Sequence, residues 1–83
     1  MKHQRHEEVN WREITMEEIF ELAIADEEDA REYYKHAAEL AGNLHTRKML
    51  LQLSEMEQGH ADQLRKELED LRIEREEETG MAD

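Results

Sequence analysis

The 83-residue chain contains no cysteine and no proline. Without cysteine it can form no disulfide, no thiolate metal site and no redox dithiol. Without proline, nothing in the sequence forces a helix to stop or kink. Glycine occurs only at 42, 59 and 80, and aromatic residues make up just 5% of the chain. Basic residues are also scarce: 11 Lys and Arg stand against 23 Asp and Glu, for a net charge of -12. A field of that sign repels nucleic acid phosphates and anionic membranes, so neither is expected as a partner, whereas cations are. No apolar run is long enough for a signal peptide or a membrane span, which makes the cytoplasm the default expectation. With 41% of residues charged, one small domain with little core is all the chain can build.

What the sequence does contain is helical periodicity. "TMEE" places Thr15 before Glu18 as a capping box for a first helix, and "LAGN" offers Gly42 as a left-handed terminator. After a turn around "NLHT", a second helix is expected to begin near Thr46 or Arg47 and to run to about Glu76. This divides the chain into a flexible N-terminal segment, 1–14, a helical hairpin, 15–76, and a disordered tail, 77–83. His3, His6, His36 and His45 fall in the N-terminal segment, on outer positions or near the turn, and read as surface residues.

Heptad positions on the first helix are Met16, Phe20, Ala23, Glu27, Ala30, Tyr34, Ala37 and Ala41. On the second they are Leu50, Leu53, Glu57, His60, Leu64, Leu68 and Leu71. Three polar residues thus interrupt two apolar stripes. In an antiparallel hairpin, residues equidistant from the turn face each other, and both Glu27 with Glu57 and Glu27 with His60 centre on the Gly42 turn. At about 1.5 Å per residue all three lie about 22 Å from it, on facing helices.

Two helices form one layer and enclose no core, so the chain is expected to dimerise into a four-helix bundle. Two-fold symmetry then brings four carboxylates and two imidazoles together. This is the ligand inventory of a dinuclear carboxylate site, with one Glu from each of two helices and Glu-x-x-His from each of the other two. Oxygen and nitrogen donors without sulfur favour iron or manganese, and zinc also fits. The bland alternative is a polar layer that fixes helix register.

"AIADEEDAREYYKHAAE", with Glu27, Ala30 and Tyr34, and "LSEMEQGHADQL", with Glu57 and His60, resemble the ferritin-like superfamily, and most closely rubrerythrin-type and encapsulated-ferritin half-bundles. The resemblance covers roughly 15 to 72. It implies an all-α, two-helix antiparallel hairpin that dimerises into a ferritin-like four-helix bundle. The di-iron site, completed between two chains, would use Glu27, Glu57 and His60. It also implies an outer-shell place for Tyr34 and an entry role for Asp26 and Asp29. The activity implied is ferroxidation of Fe(II) to Fe(III), for iron storage or detoxification. The alternatives are a rubrerythrin-like peroxidase with an external electron donor, or a non-catalytic hairpin dimer acting as scaffold or metal carrier. The partners implied are a homodimer, higher homo-oligomers built from dimers, and an encapsulin nanocompartment as shell, although no docking peptide is recognisable after the second helix.

Overall fold

The computed structural model describes residues 9–82, with side chains through residue 77. Two helices account for nearly all of it: α1, Met16–Leu40, and α2, Leu44–Ala82. They pack as an antiparallel hairpin about 11 Å thick, a single layer.

α1 starts as its sequence dictates. The Thr15 hydroxyl accepts from the Glu18 amide at 3.1 Å, and Glu18 accepts from the Thr15 amide at 3.2 Å, closing the capping box. Its other end differs from expectation. No described residue has a positive φ, glycines included, so Gly42 is not a left-handed cap. Instead Ala41 turns extended, at φ -66° and ψ 130°, while its amide still bonds to Ala38 O. Arg47 reaches back to bond Ala41 O at 3.4 Å. Asn43 then caps α2, its side-chain oxygen accepting from the Thr46 amide at 2.8 Å. For that reason α2 begins at Leu44 and not at Thr46 or Arg47.

α2 is helical through Ala82, including 77–82, where a disordered tail is expected. Upstream, residues 10–14 form a hydrogen-bonded turn, with the Glu13 and Ile14 amides donating to Asn10 O at 3.1 and 3.0 Å. The remainder of the expected flexible segment, 1–8, lies outside the described residues.

The inner line of the hairpin is built from small residues. Ala30, Ala38, Ser54 and Ala61 are buried, together with Ile24 and Leu68. Ser54, Ala61 and Leu68 recur every seven residues, as do Ile24 and Ala38 about Arg31. The heptad stripes read from sequence are rotated toward one rim of this line. Of them only Ala30 and Leu68 are buried; Phe20, Tyr34, Leu53, Glu57 and Leu64 are half-buried, and Met16 and His60 are exposed. The reason is steric: small side chains let two helices approach closely, and the larger ones are displaced to the flank.

Ion pairs close the open end of the hairpin. Arg72 bonds Glu17 at 3.4 Å and Glu21 at 2.9 Å, and Arg75 also pairs with Glu17. Among the described residues no helix is long and apolar enough to cross a membrane.

Candidate metal centre

Glu27, halfway along α1, meets Glu57 and His60 on α2. One ligand atom from each lies within 4.8 Å of the others. His60 Nδ1 stands 3.4 Å from Glu27 Oε2. Glu27 and Glu57 are half-buried and His60 is exposed, so the cluster opens on the rim that carries the displaced apolar residues. His60 shares that face with Leu53 and the exposed Met49 and Met56, spaced by four and three residues.

The electrostatics of the group are those of a site short of positive charge. A hydrogen bond shared with Glu27, then burial, then repulsion from the Glu27 carboxylate all push the Glu57 carboxyl above its ordinary range, and His60 only partly opposes them. Among the described residues two buried side-chain atoms lack a hydrogen-bond partner, Glu27 Oε2 and Arg31 Nε. For Glu27 Oε2 the nearest basic group is His60 Nδ1 at 3.4 Å, which makes no regular hydrogen bond to it, and a cation would satisfy such a buried carboxylate oxygen better. Two carboxylates and an imidazole suit iron, so the residues fit a metal.

The sequence of 18–82 matches the family model described as Rubrerythrin. The chain belongs to the rubrerythrin family. No curated protein and no solved structure matches it. Membership places the chain in the ferritin-like superfamily, whose di-iron proteins set the pattern cited above, and rubrerythrin-family domains typically bind iron. In this rubrerythrin-family hairpin, one glutamate comes from one helix and Glu-x-x-His from the other, which is half of that pattern.

The other residues singled out by sequence lie outside the cluster. Tyr34 is seven residues beyond Glu27, about 10 Å along α1, half-buried and edge-on to Tyr33 with ring centroids 5.6 Å apart. Asp29 is exposed. Asp26 is half-buried beside Glu27, and both line a groove of about 330 Å³ together with Val9, Trp11 and Ile14. That groove is absent from the sequence reading, because it depends on the turn at 10–14 folding back along α1. The heptad pattern likewise gives no sign of the bond that joins Arg31 and Gln58 across the hairpin. The signal available for Arg31 is its place midway between Ile24 and Ala38 in a seven-residue spacing.

Proposed function

We propose that two copies of the hairpin pair through the rim bearing Glu27, Glu57 and His60, and that the completed site oxidises ferrous iron. The observation that carries this reading is the three-residue cluster, which supplies half a dinuclear ligand set and leaves a buried acidic oxygen without a hydrogen bond. Exposed Met49 and Met56 on the same face give a second copy apolar surface to cover.

In this account ferrous ions, the substrate, are drawn in by the net charge of -12. Glu27 and Glu57 bind them as carboxylates, so the ions compete with protons for the Glu57 carboxyl. His60 supplies the nitrogen donor of each half-site. Two ferrous ions then give up one electron each to dioxygen, which takes up two protons and leaves as hydrogen peroxide. The hard carboxylate oxygens favour the ferric product over the ferrous substrate, and that difference is the protein's thermodynamic contribution.

Aerobic addition of ferrous iron should produce ferric absorbance several-fold faster than buffer alone, with no reductase present. His60→Ala should slow the reaction by removing one ligand per half-site. Oxidation no faster than in buffer would defeat the assignment and favour the scaffold. Turnover that requires hydrogen peroxide and an added electron donor would favour the peroxidase, since the chain has no cysteine from which to build an iron–sulfur donor of its own.

A further inference from the structure

On the rim of the hairpin opposite the ligands, a run of hydrogen bonds and ion pairs crosses between the helices twice. It starts at Glu32, which accepts from Arg31 Nη2 at 3.1 Å. Arg31 Nη1 donates across the hairpin to the Gln58 side-chain carbonyl. The Gln58 amide donates to Asp62 at 2.9 Å, and Arg65 binds Asp62 at 3.3 Å. Arg65 then returns to α1 through Glu28 at 2.8 Å. The residues it joins are the immediate neighbours of the ligands: Glu28 follows Glu27, Arg31 stands one turn beyond it, and Gln58 follows Glu57.

Arg31 is the unusual member. Its side chain is 32% exposed, and its backbone carbonyl accepts from the buried Ser54 hydroxyl at 3.2 Å, so α2 grips it at both main chain and side chain. Its Nε is buried with no acceptor. A buried guanidinium N–H left unpaired is destabilising, and an aliphatic residue between Ile24 and Ala38 would avoid that cost. Glu27, whose Oε2 makes no regular hydrogen bond and has His60 Nδ1 at 3.4 Å, lies on the preceding turn, in the Glu-then-Arg order at four residues that is attractive on a helix.

We propose that Arg31 is a positioning residue for the metal centre: through Gln58 it sets the rotation and register of α1 against α2. This rests on the metal reading of Glu27, Glu57 and His60. The guanidinium fork suits the task because one planar group reaches Glu32 and Gln58 together, which a lysine ammonium on a flexible stem does not reproduce.

Cobalt(II) titration with visible absorption spectroscopy tests the proposal on the full chain, using Arg31→Met, Gln58→Leu, the double variant and Arg31→Lys, each checked for helix content by circular dichroism. Outer-shell partners of metal ligands are typically worth about 10- to 100-fold in metal affinity. Arg31→Met and Gln58→Leu should each weaken cobalt binding within that range and shift the d–d bands at saturating metal. The double variant should be no weaker than the worse single, because the two act through one bond. Arg31→Lys should recover less than the full wild-type affinity. Folded single variants with unchanged affinity and bands, or losses that add in the double variant, would overturn the role of Arg31 and leave the metal centre standing. A wild-type chain that binds no cobalt would overturn both.

Discussion

Glu57 and Glu27 crowd each other across the hairpin, and the consequence is readable in pH. Their shared hydrogen bond, burial and mutual repulsion raise the Glu57 carboxyl above its ordinary range. A carboxyl raised on folding lends stability that is complete below its unfolded value, about 4.3, and is lost as pH rises through the folded value. Metal-free protein should therefore lose melting temperature over that window as pH rises. Glu57→Gln, which keeps an amide donor toward Glu27 at every pH, should melt higher than wild type at pH 7 and show a shallower slope. Thermal unfolding in chelator from pH 4 to 8 checks both, and a Gln variant that melts lower at pH 7 would contradict the crowding. Metal would have the opposite dependence, because it competes with protons for the Glu57 carboxylate, so its affinity should fall as pH falls.

At the scale of the element, the caps decide where Glu27, Glu57 and His60 land. Thr15 and Glu18 start α1, Ala41 ends it and Asn43 starts α2, so the lengths either side of the turn bring position 27 level with 57 and 60. Asn43→Ala should cost about 1 kcal/mol, the usual worth of such a cap, measured by chemical unfolding. An unchanged midpoint would mean that Asn43 does not hold the start of α2. These elements differ in how openly the sequence announces them. The Thr15 box is local, four residues that satisfy each other, and so it is visible in the string. The meeting of Glu27 with Glu57 and His60 follows from counting outward from the turn, which tolerates an error of one residue in its centre. Asn43 is harder to see, because Gly42 and Thr46 offer competing signals within four residues and only the backbone chooses among them. The inner line of Ala30, Ala38, Ser54 and Ala61 was hidden for a different reason. Large apolar residues dominate a pattern reading, yet here they flank the contact that small residues make. Gly59, by contrast, has no local necessity, since a Cβ there would meet nothing within 4 Å in this chain.

At the scale of the molecule, the hairpin is one helix thick and carries the Glu27, Glu57 and His60 cluster, which could serve as half a ligand set, on its more apolar rim. Both facts ask for the same remedy, a second copy facing the first. Pairing would cover Met49 and Met56, surround Glu27 and Glu57 with protein, and supply the second Glu-x-x-His that the dinuclear pattern requires. The cation would in turn offset the repulsion of four carboxylates. Metal and association would then be linked, because whatever binds only the paired state shifts the equilibrium toward it by mass action. The most direct test is sedimentation of the wild-type chain at low concentration, with metal content measured on the same samples, in chelator and under anaerobic ferrous iron. The account predicts a shift toward dimer, or a multiple of it, with iron present at one metal per chain, and loss of both the shift and the metal in Glu27→Ala. Iron held by a chain that stays monomeric, or an association state indifferent to iron, would contradict a metal centre shared between two copies.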